Sequence, residues 1–328
     1  MQGCALVTGA SGAVGGVLSA RLVERGCRVR ALVRDPAAVG ALPRAVQVVE
    51  GNIADERAVR AATAGVDYVF HLAAKLHVNQ PAPELRDEYA RINVEGTRRV
   101  VEAAREADVR RFVFFSTINV YGASRDEEIF DESSPLRPGS WYAETKLEGE
   151  RIALQNLPDR AVVLRLAAVY GQRMKGNYAR LAEALRHGRF VMIGNGRNRR
   201  TLIHVEDACA AAILAAGDPR AAGKIYNVTD GEVHTLDGII RAICAALGRR
   251  PPRLAMSQGA ARRAARVADA ILRAARGRPP ALSQTLDKFT EDIAVSGALV
   301  QRELGFRPRY DLLGGWCEAI GQAAREED

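Results

Sequence analysis

A chain of 328 residues with 48% hydrophobic and 26% charged content can build two packed lobes, and it is too apolar for intrinsic disorder. Its net charge of +8 comes mostly from arginine beyond position 249 (Arg249, Arg250, Arg253, Arg262, Arg263, Arg266, Arg273, Arg276, Arg278), yet only 5% of residues are aromatic and no zinc-finger spacing occurs, so a nucleic-acid partner is not expected. Five scattered cysteines without a Cys-x-x-Cys pair indicate neither a disulfide framework nor a metal site, no signal peptide precedes the first strand, and no apolar run reaches the ~18 residues of a membrane span; the expectation is a cytoplasmic protein without metal.

Residues Cys4 to Thr8 form an apolar run, followed by glycines, a helical pattern from Val14 to Arg25 and an alternating strand from Arg28 to Val33. This is one β-α-β unit. Further strands are predicted at Val46 to Val49, Val66 to Leu72, Arg111 to Phe115 and Ala161 to Leu166, with helices at Ile92 to Ala107 and Tyr142 to Gln155 between them. Strands alternating with helices imply an α/β fold, a doubly wound parallel sheet of the Rossmann type. After Gly171 the pattern breaks, then resumes at Leu202 to Val205 and Ile225 to Val228. Residues 1–170 are therefore expected to form the dinucleotide-binding domain and 171–328 a smaller α/β substrate lobe, with the helix at 207–216 returning to the sheet. The stretch Ala260 to Ala275, with Ala264, Val267, Ile271 and Leu272 at helical spacing, reads as an amphipathic helix, and core packing or a partner surface accounts for it more economically than membrane insertion.

Three glycines follow the first strand in the pattern Gly9-x-x-Gly12-x-x-Gly15. The first permits a tight turn, the second a close approach to pyrophosphate, and the third close packing of helix on strand. The amides of Ser11, Ala13 and Val14 at the helix N-terminus are the expected donors to the anion. At the end of the second strand an acidic residue suits NAD and an arginine suits NADP. The chain places Arg34 there with Asp35 behind it, which is a mixed signal with a slight lean to NADP. Tyr142 and Lys146 form a Tyr-x-x-x-Lys pair on one helix face. A neighbouring ammonium is expected to lower the phenol from its usual ~10 toward a working general base.

With these motifs the chain resembles the extended short-chain dehydrogenase/reductase family, in its branch of NAD-dependent epimerases, dehydratases and nucleotide-sugar reductases. Other matching segments are Gly51-Asn52-Ile53-x-Asp55, His71-Leu72-Ala73-Ala74, Asn93-Val94-Glu95-Gly96-Thr97, Ser116-Thr117-Ile118-Asn119-Val120-Tyr121-Gly122, Leu164-Arg165-x-x-x-Val169-Tyr170-Gly171 and Ile203-His204-Val205-Glu206-Asp207. The resemblance implies that Asn52 and Ile53 border the adenine and that Leu72, Ala73 and Ala74 line the pyrophosphate and ribose. It implies that Thr117, in place of the usual serine, hydrogen-bonds the reacting oxygen, and that Lys146 also holds the nicotinamide ribose. Asn177 and Arg200 match positions that contact a nucleotide diphosphate. Ile118 stands where dehydratases of this kind carry an acid, which disfavours dehydration.

The implied activity is hydride transfer at C4 of a nucleotide sugar, as a 4-epimerase or a 4-keto reductase. One alternative is a dehydrogenase similar to 3β-hydroxysteroid dehydrogenases, acting on an apolar hydroxyl or ketone. Another is a non-catalytic, NAD(P)-binding regulatory protein, which the intact Thr117, Tyr142 and Lys146 speak against. The resemblance also implies a homodimer built on the helices that begin near Asn93 and Tyr142.

Overall fold

The computed structural model describes residues 2–39, 42–76, 85–124, 127–174, 176–252, 254–276 and 291–327; Arg253 and Arg278 of the basic segment lie outside them. In chain order the strands are β1 (Cys4–Thr8), β2 (Arg28–Val33), β3 (Gln47–Glu50), β4 (Tyr68–His71), β5 (Arg111–Thr117), β6 (Ala161–Leu166), β7 (Ala168–Tyr170), β8 (Met192–Ile193), β9 (Arg199–Arg200), β10 (Leu202–His204), β11 (Ile225–Val228), β12 (His234–Thr235) and β13 (Ala255–Met256). Seven of them make one parallel sheet in the order β11-β6-β5-β4-β1-β2-β3. Because β1, β4, β5 and β6 are buried at every position, they read as unbroken apolar runs rather than alternating ones.

Helices cover both faces of this sheet. α1 (Ala13–Glu24) and α7 (Val205–Gly217) bury Val17, Leu18, Leu22, Ala208, Ala212 and Ile213 on one face, and α2 (Glu56–Thr63), α4 (Gly96–Glu106) and α5 (Trp141–Asn156) bury Ala62, Val100, Ala104, Ile152 and Ala153 on the other. Local chemistry starts these helices where the sequence changes. Asp55 accepts from the Arg57 and Ala58 amides at the head of α2, and Ser140 accepts from the Ala143 amide at the head of α5.

The helix expected from Ile92 enters differently. The short α3 (Leu85–Tyr89) runs into a π-helical turn at Ala90–Glu95 before α4 begins. That widened turn carries the buried Asn93, whose side-chain amide donates to the Lys75 carbonyl and to Thr145 Oγ1, both at 3.1 Å, and so ties the turn to α5. The second difference is at β11, which the sequence places in the smaller lobe. It pairs in parallel with β6 and completes the sheet, because its buried Tyr226, Asn227 and Val228 fit an interior strand.

Outside this sheet lie the pairs β7 with β10, β8 with β13 and β9 with β12. Around them pack α6 (Asn177–Arg186), α8 (Leu236–Ala246) and α11 (Leu312–Glu327), whose core joins Leu181, Leu185, Ile239, Ile243 and Trp316. α9 (Gln258–Arg276) and α10 (Ala298–Leu304) complete the described helices.

The topology fixes where a ligand can enter. Strand order runs outward from β1 through β2 to β3, then restarts beside β1 at β4 and runs the other way. At such a reversal the connections leave the carboxyl ends of the two strands on opposite faces, and a crevice opens between them. Thr8 and His71 end those strands, so Gly9 and Leu72 stand at the crevice mouth.

Candidate active site

The glycine loop is fixed by space. At Gly9, φ is +77°, and a Cβ there would lie 2.8 Å from the Ala73 nitrogen; at Gly15 it would lie 2.3 Å from the Gly9 carbonyl oxygen. A side chain at either position would drive backbone from backbone. The loop closes through the Gly12 amide on the Gly9 carbonyl at 3.0 Å, and α1 then starts with no side-chain cap, leaving first-turn amides of Ala13 and Val14 open to an anion.

A groove of about 450 Å³ runs from this loop across the sheet edge. Gly9, Gly12, Ala13, Val14 and Gly15 border one end, Leu72 and Ala74 the side, and Thr117, Tyr142 and Lys146 the other end. Five predicted residues are not on its wall. Ser11 is exposed; Arg34 is exposed just past β2; and Ala73 meets the loop through its backbone, donating to Thr8 Oγ1 at 3.2 Å. Asn52 accepts from the Ala54 amide at 3.0 Å, while Ile53 is buried against Gly96, where a Cβ would lie 2.8 Å from Ile53 Cδ1.

Beyond Thr117 lies a second cavity, of about 410 Å³. Asn177, at the start of α6, and Arg200, on β9, border it together with Thr117. Thr117 therefore faces both spaces. Five further polar residues border this cavity that the sequence reading assigned no role: Asn119, Ser140, Tyr178, Thr201 and Glu291. Asn119 sits inside a quoted motif and Tyr178 follows Asn177, so proximity could have flagged both; Glu291 follows a stretch without motif and carried no signal. The remaining wall is apolar, including Ile118, Leu166, Ala167, Val169, Leu236 and Ile293.

The description of the NAD dependent epimerase/dehydratase family matches residues 5–229, which span the glycine loop, Thr117, Tyr142, Lys146 and Arg200. The chain belongs to that family. It is 33% identical over 324 residues to the 4-hydroxy-2-methyl-3-oxo-4-farnesyl-3,4-dihydroquinoline-1-oxide ketoreductase of Stigmatella aurantiaca, covering 97% of this chain and 95% of that one. It is 31% identical to the 3 beta-hydroxysteroid dehydrogenase/Delta 5-->4-isomerase of Mycobacterium tuberculosis H37Rv, covering 94% of this chain and 87% of that one. Among solved structures it resembles MoeE5 in complex with UDP-glucose and NAD, with a TM-score of 0.79, 26% identity and coverage of 99% of this chain and 100% of that one.

Membership makes this an NAD-dependent enzyme of the epimerase, dehydratase and reductase type, and its electrostatics depart from the sequence expectation. Tyr142 and Lys146 do share one face of α5, but burial lifts the Tyr142 phenol to about 12, with Tyr89 adding to the rise. Burial also lowers the Lys146 ammonium to about 7, against the opposing pull of Glu150. The expected lowering of the phenol by its neighbour does not occur. Removal from water disfavours both charged forms, and the Lys146 Nζ lies 4.1 Å from the centre of the Phe114 ring. His71, fully buried between Thr8 Oγ1 at 2.7 Å and Thr97 Oγ1 at 3.0 Å, is lowered to about 3 by burial and by Lys146, so it stays neutral.

Behind this wall runs a buried polar network. Glu150, one turn beyond Lys146, accepts from the Ser116 hydroxyl and from Arg165, whose Nη2 lies 2.7 Å from Oε2; Arg165 Nη1 also reaches Tyr121 Oη at 2.8 Å. Both members of the ion pair are 2% exposed. Such a pair holds only while each partner is satisfied, and it fixes the ends of β5 and β6 under Thr117. Among the described residues no cluster of His, Cys, Asp or Glu could hold a metal ion, and no helix is long and apolar enough to cross a membrane.

Proposed function

We propose that this enzyme transfers hydride at C4 of a nucleotide sugar, working as a 4-keto reductase or a 4-epimerase. One observation carries the reading: the cavity that meets the nicotinamide-side groove at Thr117 is bordered by Arg200 and Asn177, a guanidinium and an amide suited to a diphosphate. The bound UDP-glucose of MoeE5 supports the same class of substrate.

Gly9, Gly12, Gly15 and the first amides of α1 would hold the dinucleotide pyrophosphate, and Leu72 and Ala74 its ribose. When bound, the nicotinamide donates or accepts the hydride. Thr117 Oγ1 hydrogen-bonds the substrate oxygen and fixes it toward Tyr142. Tyr142, which keeps its proton to about pH 12, gives that proton to the oxygen as a ketone becomes an alcohol. Reduction is thus the direction for which the phenol is already charged with its proton, whereas epimerisation begins by removing one. Lys146 lines the groove beside it and would hold the ribose. For the cofactor we infer a preference for NADP: Arg34 is exposed past β2, while Asp35 is occupied in accepting from the Ala37 amide at 2.9 Å. Arg34→Ala should then weaken NADPH binding more than NADH binding in parallel titrations, and equal losses would make Arg34 a bystander. Assembly as a homodimer through α4 and α5 belongs to the same reading.

A second reading is favoured by the mostly apolar wall of the cavity and by the activities of the two relatives at 31–33% identity: an apolar hydroxyl or ketone as substrate. The experiment is to incubate the protein and NADPH with UDP- and dTDP-4-keto sugars, and separately with steroid and alkyl ketones. Oxidation of NADPH with the sugars supports the first reading. Turnover of only the uncharged ketones replaces it with the second.

A further inference from the structure

From the placement of its apolar and basic side chains we infer that the surface made by β8, β13 and α9 docks on an anionic phospholipid bilayer. The argument is independent of the substrate. Eight large hydrophobic side chains are exposed among the described residues; of these, Met256 and Val267 lie on β13 and α9, and Val191 and Leu254 immediately precede β8 and β13. Between α9 and the strand pair runs an apolar groove of about 360 Å³, lined by Val191, Ile193 and Met256 on one side and by Ala261, Ala264 and Ala268 on the other. Side chains placed so are normally covered.

Charge says what covers them. Residues 187–194 and 249–268 contain six arginines in the described structure (Arg189, Arg249, Arg250, Arg262, Arg263, Arg266) and no Asp or Glu, while Arg186 just before them pairs with Glu183 at 3.7 Å. The one acid of α9, Asp269, is buried. Next to the strand pair a smaller cavity, of about 280 Å³, is lined by Arg249 and Arg250 with Leu185, Phe190 and Leu254, and neither arginine meets a carboxylate among the described residues. Leu254 belongs to this cavity and its carbonyl accepts from the Met192 amide, so the arginine-lined cavity and the apolar groove both border the same two-stranded ribbon. An apolar strip beside paired cations matches an interface where acyl chains meet phosphate head groups. A second copy of this chain would bring arginine against arginine. A nucleic acid would find no exposed aromatic ring on these elements to stack on, and would leave the apolar groove uncovered. From sequence, core packing or a partner surface ranks ahead of membrane insertion at this helix; of its groove-side alanines Ala261 is buried while Ala264 stays exposed.

The test is co-sedimentation of the full chain with phosphatidylcholine vesicles and with vesicles containing about a third phosphatidylglycerol, at low and high salt. The expected result is binding to the anionic vesicles alone, weakened by salt. Arg249→Glu with Arg250→Glu should weaken it on the order of tenfold to a hundredfold, and Leu254→Ser with Met256→Ser by several-fold, while dinucleotide affinity, which reports folding, stays at the parent value. Equal sedimentation with both vesicle types, or charge-reversed protein that binds like the parent, overturns the proposal. So does binding to duplex DNA as tight as to vesicles with no loss in the serine variants, which would make the face a general polyanion surface. A mass doubled in light scattering and restored to monomer by Met256→Ser would assign the face to self-association instead.

Discussion

The dinucleotide groove and the neighbouring cavity share Thr117 but are built by different means. In the groove the atoms proposed to hold the dinucleotide are backbone: three glycines, the open amides of α1 and the carboxyl ends of β1 and β4, all set by one short segment and the strand order. In the cavity the atoms proposed to hold the substrate are side chains brought from β5, α6, β9 and the segment at Glu291, which are far apart in the chain. A backbone device tolerates almost no change, whereas a side-chain device can be retuned one residue at a time. On the proposed reading, that contrast would let one fold serve relatives whose names give a quinoline oxide, a steroid and UDP-glucose.

The hardest test of this contrast is Gly15→Val. Its side chain would begin 2.3 Å from the Gly9 carbonyl oxygen, with no flexible group to give way, so loss of dinucleotide binding, and of much of the folded protein, is expected by calorimetric titration and thermal melting. A variant that binds the dinucleotide normally would show that the loop is not backbone-limited. In the cavity, Arg200→Ala should leave dinucleotide binding intact and raise the Michaelis constant for a nucleotide sugar on the order of tenfold to a hundredfold, from the roughly 1.5–3 kcal/mol of hydrogen bonds to a charged group. An unchanged constant would remove Arg200 from substrate binding and favour the uncharged ketone.

A smaller effect sharpens the boundary between the two regions. Lys146 is lowered from its ordinary 10.5 to about 7 by burial, so the unfolded chain binds more protons than the folded one between those values. Burial of the ammonium therefore opposes folding fully below about pH 7, and the opposition fades as pH rises toward 10.5. Lys146→Met should accordingly raise the melting temperature of the cofactor-free protein more at pH 6 than at pH 10. The reverse order would mean that Glu150 and the Phe114 ring more than compensate burial.

The sequence made the groove legible and the cavity only partly so, for the same physical reason. Glycine spacing, an apolar strand before it and a helical period after it are local, so Gly9, Gly12 and Gly15 could be read directly. β5, β6 and α5 were likewise readable to within two residues, since each carries its own period. Burial is not local. Nothing near Tyr142 says that its phenol leaves water, so the expected lowering became a rise to about 12. Glu291 and the closing of the sheet by β11 depend on contacts between segments distant in the chain, and the pairing of Glu150 with Arg165 joins positions fifteen apart with no motif between them.

The claim on which the rest depends is that Tyr142 holds the proton exchanged with the substrate oxygen, and Tyr142→Phe tests it with the smallest change of shape. With the substrate found in the ketone panel, the variant should bind NADPH within about twofold of the parent while turnover falls by on the order of a hundredfold or more, the usual contribution of a positioned general acid. Turnover near the parent value, with the dinucleotide still bound, would contradict the account: the proton would then come from elsewhere, and the presence of Tyr142 beside Thr117 on the groove wall would have no catalytic meaning.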